Sequence, residues 1–229
     1  MRLPSISVML VDDHAVVRQG YLRLLEKQQG MVVVAEAADA ASAYQAYKKL
    51  RPDVVVMDLS MPGRGGIDAI RQIRQWDPMA RVLVFTMHLS AAFALQAFRA
   101  GAKGFVTKSS PPELLVVALR DVAAGRVAIC PEISDALAMS RLQEDRSVID
   151  DLSPREFEIL RMLLDAKSTD EIAAAFNLSA KTVSNYHYAI KSKLGVSSDI
   201  ELAHFGLRSG LIAPVQDAIS TLPSHTERP

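Results

Sequence analysis

Residues 54–63, Val54-Val55-Val56-Met57-Asp58-Leu59-Ser60-Met61-Pro62-Gly63, constrain the fold more than any other stretch. Four uninterrupted apolar residues predict a strand buried on both faces, and such strands belong to parallel sheets. Asp58 stands where the apolar run stops, and Pro62-Gly63 turn the chain. In an open α/β sheet, that end of a strand opens into the ligand crevice. Taken alone, Asp58 reads equally well as a turn residue. The remainder of the chain separates the two readings.

Four further segments repeat the pattern. Ser7-Val8-Met9-Leu10-Val11 ends in Asp12-Asp13, Val32-Val33-Val34-Ala35 is a second strand, Arg81-Val82-Leu83-Val84-Phe85 ends in Thr86, and Gly104-Phe105-Val106-Thr107 ends in Lys108. Helical spacing lies between them: Val17, Tyr21, Leu24 and Leu25 before a stop at Gly30; the alanine-rich 39–50; Ile67, Ile70 and Ile73; then 91–100 before Gly101. Pro112 opens a fifth helix and Gly125 closes it. Five strands alternating with five helices predict right-handed crossovers and one flavodoxin-like parallel sheet covered on both faces. Asp12, Asp13, Asp58, Thr86 and Lys108 all follow an apolar run, so all are predicted to enter one crevice. Turn chemistry alone does not produce that coincidence.

Three carboxylates forced together repel one another and do not all stay ionised unaided. A divalent cation resolves the conflict, and a few hard oxygen ligands with room left for water and phosphate suit Mg²⁺. Lys108 supplies a fixed positive charge and Thr86 a hydroxyl, both suited to a phosphoryl group in transfer. Asp58, at the centre, can act as a nucleophile and form an acyl phosphate.

The set Asp12-Asp13, Asp58, Thr86 and Lys108, with Phe105 in the fifth strand, resembles a two-component receiver domain over roughly residues 5–125. The resemblance implies that Asp58 takes phosphate from a histidine kinase. It implies Mg²⁺ on Asp12, Asp13, Asp58 and the Ser60 backbone carbonyl, contact of Lys108 with the phosphoryl group, movement of Thr86 towards it, and a rotamer change of Phe105 in step. Ser109, not proline, follows Lys108, which leaves that peptide's geometry open. Phe105 in place of tyrosine signals through packing and not through a hydroxyl. His88 reads as an uncommitted surface histidine at the crevice mouth.

A chain of 229 residues accommodates two domains. Residues 1–127 are expected to form the receiver, 128–151 a linker, 152–213 a second domain and 214–229, with three prolines, a disordered tail. Within the linker, 131–142 predicts a short helix, and the acidic 143–151 predicts an exposed, flexible boundary. No apolar run approaches a membrane span, and no basic stretch leads a long apolar core at the N-terminus. The single Cys130 excludes intrachain disulfides and a cysteine metal cluster, so a reducing cytoplasm without membrane attachment is the expected setting.

From Leu152 the signals become those of short capped helices. Ser153-Pro154-Arg155-Glu156 and Ser168-Thr169-Asp170-Glu171 are capping boxes; Asn177-Leu178 is a turn; Ser179 caps a third helix with Val183, Ile190 and Leu194 inward, and Gly195 stops it. Ser198 opens a fourth helix. These segments, with Lys193-Leu194-Gly195-Val196, resemble a LuxR-type helix-turn-helix domain, so the whole chain resembles a NarL/FixJ-type response regulator.

That resemblance implies a phosphorylation-controlled transcription factor with promoter DNA, a homodimer on DNA and RNA polymerase as partners. The third helix would enter the major groove and present Lys181, Thr182, Ser184, Asn185, His187, Tyr188 and Lys191, with Lys193 beyond. Residues 152–213 hold seven basic and seven acidic residues, so any attraction for DNA there is local. Ile200, Ala203, Gly206 and Leu207 of the fourth helix would pair two domains. Phe157 stands where many members have a charged residue, and is expected to touch the receiver or linker.

Two rival functions remain at this level. An aspartate-nucleophile phosphatase would carry a second aspartate two residues after Asp58, where Ser60 stands. A phosphorylation-independent DNA-binding protein would have no use for the acidic crevice.

Overall fold

The computed structural model describes residues 5–142 and 148–212, so the expected tail 214–229 and the centre of the acidic segment lie outside the described residues. Strands β1 (Ile6–Val11), β2 (Met31–Ala37), β3 (Val54–Met57), β4 (Val82–Thr86) and β5 (Gly104–Thr107) alternate with helices α1 (Ala15–Glu26), α2 (Ala40–Leu50), α3 (Gly66–Trp76), α4 (Ala91–Ala100) and α5 (Pro112–Ala123). The sheet is wholly parallel, but it has six strands where five were expected. After α5 the chain runs along the open edge of β5 as β6 (Ala128–Ile129), giving the order β2-β1-β3-β4-β5-β6. The Ala128 N–H donates to the Lys103 carbonyl and the Cys130 N–H to the Phe105 carbonyl, satisfying an edge that would otherwise be bare. Two residues are too few for alternation to show in the sequence.

Period-two geometry sorts the strand residues between two faces. Val8, Leu10, Val54, Val56, Leu83, Phe85 and Val106 pack with α1 and α5 residues such as Leu25, Leu115 and Leu119. Met9, Val11, Val55, Met57, Val82, Val84 and Phe105 pack with the α2–α4 side. Helix α1 stops at Glu26, short of Gly30, whose φ of 78° turns the chain into β2 instead.

Helix α6 (Pro131–Leu142) forms where expected, with Ile133 fully buried. The end of the linker differs from expectation. Val148–Asp151 is a 3-10 helix with Ile149 buried, and the Gln96 side-chain amide donates to the Ile149 and Leu152 carbonyls at 3.1 and 3.0 Å. A buried amide donor on α4 thus captures backbone that its composition marks as exposed. The C-terminal part is α7 (Pro154–Leu164), α8 (Thr169–Phe176), α9 (Ala180–Leu194) and α10 (Asp199–Arg208). Both expected capping boxes form, Asn177 takes the left-handed conformation between α8 and α9, and Gly195 does so after α9. No helix among the described residues is long and apolar enough to cross a membrane.

Candidate functional site

The carboxyl ends of β1, β3, β4 and β5 bring the expected residues together. Each strand's last backbone bonds fix the next residue: the Asp58 N–H donates to the Val11 carbonyl at 2.9 Å and the Lys108 N–H to the Thr86 carbonyl at 2.8 Å. Lys108 Nζ consequently lies 2.6 Å from Asp12 Oδ2 and 2.8 Å from Asp58 Oδ2, with all three side chains almost wholly buried. Burial alone would push the lysine down, but the two carboxylates outweigh it and hold the ammonium above its usual range. No cis peptide occurs among the described residues, so the Lys108–Ser109 bond is trans.

Asp12, Asp13, His14 and Asp58 can each point one ligand atom into a region in which those atoms lie within 4.8 Å of one another. Asp13 Oδ1 is buried, lies 2.9 Å from His14 Nδ1 and accepts no hydrogen bond. An oxygen so placed, beside two further carboxylates, fits a hard divalent cation. His14 is a member of the cluster that sequence reasoning missed; its position next to Asp12-Asp13 was the available signal. The Ser60 N–H donates to Asp58 Oδ1 at 3.1 Å. Thr86 is fully buried at the end of β4, and Phe105 is fully buried on the α2–α4 side of the sheet. Gly66 has to be glycine, because a Cβ there would overlap the Asp58 carbonyl.

His88 is not an uncommitted surface residue. Its Nε2 lies 3.1 Å from Ser60 Oγ, and its ring stacks on Phe93 with centroids 3.7 Å apart and 7° between planes. Burial pushes its imidazole down, so it is neutral at neutral pH, although Asp58 pulls the other way. Phe93 in turn meets Phe157 of α7 edge-to-face, centroids 5.0 Å apart. The expected contact of Phe157 with the receiver is therefore present.

Around that contact α7 makes a buried polar seam with the segment that follows Asp58. Glu158 accepts the Ile67 N–H at 3.1 Å and Arg161 donates to the Gly63 carbonyl at 3.3 Å. Arg155 pairs with buried Asp68 at 3.0 Å, and Arg64 donates to the Ala175 carbonyl at 2.6 Å. Gly65 admits the Glu158 carboxylate where a side chain would collide. Burial pushes the Glu158 carboxyl up, against the pull of Arg161, which donates to it at 3.0 Å.

On α9, Lys181, Ser184, Asn185 and Tyr188 are exposed and Thr182 half-buried, while Tyr186 packs partly against the core. His187 and Lys191 face α10 instead: Asp199 Oδ1 lies 2.8 Å from His187 Nε2 and 3.2 Å from Lys191 Nζ. Lys193 is held at 2.8 Å by Glu156. On α10, Ile200 and Leu207 are exposed and Ala203 half-exposed, but Gly206 is buried against Leu164. Gly206 is small to fit its own domain's core and is not available for pairing.

Comparison with known proteins finds two matches along the chain. Residues 8–120 match the response regulator receiver domain, and residues 150–205 match the luxR family of bacterial regulatory proteins. The response regulator UvrY of Escherichia coli is 37% identical over 208 residues, covering 90% of this chain and 95% of that protein. The response regulator GacA of Pseudomonas aeruginosa is 38% identical over 209 residues, covering 90% and 98%. Among solved structures, RcsB from Salmonella enterica serovar Typhimurium, bound to promoter P1flhDC in the presence of phosphomimetic BeF3⁻, is similar with a TM-score of 0.71. It is 30% identical and covers 88% of this chain and 98% of its own.

Proposed function

The chain belongs to the response regulators that join a receiver domain to a LuxR-type helix-turn-helix, and from that premise we propose that Asp58 is its phosphoacceptor and α9 its DNA-reading helix. It is a transcriptional regulator and not an enzyme in the usual sense. One observation carries the reading: Lys108 bridges Asp12 and Asp58 in a buried cluster at the carboxyl edge of the sheet.

In this reading a histidine kinase's phosphohistidine is the donor. An Asp58 oxygen attacks phosphorus, the O–P bond forms as the N–P bond breaks, and the imidazole leaves. Lys108 holds one phosphoryl oxygen, and the Thr86 hydroxyl swings to another, with Phe105 repacking behind it. Asp12, Asp13, Asp58 and the Ser60 carbonyl would hold Mg²⁺, which would offset charge on the phosphoryl oxygens. The residues that respond first also touch His88, through Ser60 Oγ and the Thr86 hydroxyl, to which the His88 N–H reaches at 3.5 Å. Movement there loosens the His88–Phe93–Phe157 stack and frees α7.

The freed domain, 152–213, reads promoter DNA with Lys181, Thr182, Ser184, Asn185 and Tyr188, and pairs through Ile200, Ala203 and Leu207. We divide the chain into a receiver at 1–127, a connecting segment at 128–151 and the tail beyond 213. A cytoplasmic regulator that meets the kinase, the promoter and RNA polymerase in one compartment fits the lone Cys130. The test compares wild type with Asp58→Asn on promoter DNA after treatment with a small-molecule phosphodonor. Wild type should tighten its binding and Asp58→Asn should not. Equal tightening in both removes Asp58 from the mechanism.

A further inference from the structure

The recognition helix carries four basic or ring-nitrogen groups on its polar side, and three of them have an acidic partner inside the domain. Asp199 Oδ1 accepts a hydrogen bond from Lys191 Nζ at 3.2 Å and lies 2.8 Å from His187 Nε2, which makes no hydrogen bond, and Glu156 holds Lys193. Lys181 is exposed and has no carboxylate within ion-pair distance among the described residues. We propose that Asp199 is an internal counterion of α9, occupying Lys191 with a carboxylate where a DNA phosphate would otherwise stand. It thereby sets the strength and the salt dependence of DNA binding. The inference rests on α9 being the DNA-reading helix.

Asp199 is poorly explained as a structural staple. Its side chain is 69% exposed, and ion pairs open to water contribute little to folding. The N-terminus of α10 does not need it: Ser198 caps the helix by accepting the Glu201 N–H at 3.1 Å, and Glu201 already places a carboxylate in the first turn. What Asp199 does change is the field at the helix that meets DNA. Duplex affinity comes largely from cations that displace condensed counterions, and each such cation adds about 0.9 to the slope of log affinity against log salt. Lys191 cannot serve in that way while Asp199 neutralises it. Either the pair breaks when DNA arrives, or the carboxylate is carried close to the phosphates. Both weaken a single domain's grip and leave tight binding dependent on two domains acting together.

The test uses the full-length, phosphodonor-treated protein and a labelled mixed-sequence duplex, titrated over a range of salt concentrations. Asp199→Asn should bind roughly 3- to 10-fold tighter at low salt, with a slope steeper by about 1. Asp199→Glu, which keeps the charge, should match wild type. Adding Lys191→Gln to Asp199→Asn should cancel most of the gain, which assigns the effect to that pair. Thermal unfolding of each variant checks that the fold is unchanged. Unchanged affinity and slope in Asp199→Asn, or weaker binding, overturns the inference while leaving α9 as the DNA-reading helix. Absence of salt-dependent duplex binding by wild type overturns both.

Discussion

Truncating Phe157 to alanine tests whether the domains are held together by the contact at the end of the His88 stack. Phe157 is 1% exposed, and its ring meets Phe93 across the domain boundary. Burying a phenylalanine contributes about 1.5–3 kcal/mol. An edge-to-face pair adds about 0.5–1.5 kcal/mol. Where docking supplies all of that burial, the docked arrangement loses about 2–4.5 kcal/mol, and with a tenfold change per 1.4 kcal/mol the docking equilibrium shifts roughly 30- to 1,600-fold towards the separated form. Because Cys130 is buried, dyes on cysteines introduced at exposed Lys49 and Lys167 report the distance between the domains. Phe157→Ala should lower energy transfer without any phosphodonor, and Phe93→Ala should do the same. The double variant should fall short of the sum, because both changes remove one contact. Unchanged energy transfer with a lower unfolding midpoint would falsify the reasoning, since Phe157 would then serve only its own domain's core.

Lys108→Met leaves Asp12 and Asp58 buried without their cation, a change that typically costs about 3–5 kcal/mol. Urea unfolding in chelator should show that loss, Mg²⁺ should recover part of it, and the phosphodonor response should disappear. Burial raises the Glu158 carboxyl above its ordinary 4.5, so the docked form takes up a proton that the separated form releases. Its contribution to docking is accordingly complete below about pH 4.5 and is lost as pH rises through the raised value; energy transfer should fall over that range in wild type and stay flat in Glu158→Gln.

The receiver was legible because its signals are local and redundant. Apolar runs ending in Asp12-Asp13, Asp58, Thr86 and Lys108 fix both the sheet and the edge that carries the chemistry. The helix-turn-helix announced itself through capping boxes at Ser153 and Ser168, whose hydrogen bonds span three residues. The domain contact was not legible, apart from the anomaly at Phe157. Arg155 and Asp68 are 87 residues apart, Glu158 and Ile67 are 91 apart, and no periodicity links them. His88 looked idle because its partners, Ser60 and Phe93, come from different loops and helices. The helical wheel put His187 and Lys191 on the polar side of α9, but a wheel does not show that Asp199 of the next helix reaches back to them. Gly206 failed for a similar reason: smallness reads alike whether the close neighbour is another chain or Leu164.

The character of the domain contact matters as much as its position. A purely apolar patch would hold the domains together whatever happened at Asp58, because its free energy scales with area and ignores geometry. Here a small aromatic contact is flanked by Arg155–Asp68, an ion pair whose attraction does little more than offset the loss of hydration, and by the buried Glu158 carboxyl, which accepts the Ile67 N–H. Such pairs add little net affinity but demand good geometry, since a buried charge that loses its partner is costly. The receiver-side partners of α7 are the Gly63 carbonyl, the Ile67 N–H and Asp68, all on the segment that leaves Asp58. On the proposed reading, a phosphoryl group on Asp58 that shifts this segment would misalign these buried polar contacts together. One covalent event would then outweigh the contact, whereas a larger hydrophobic interface in the same place would resist it.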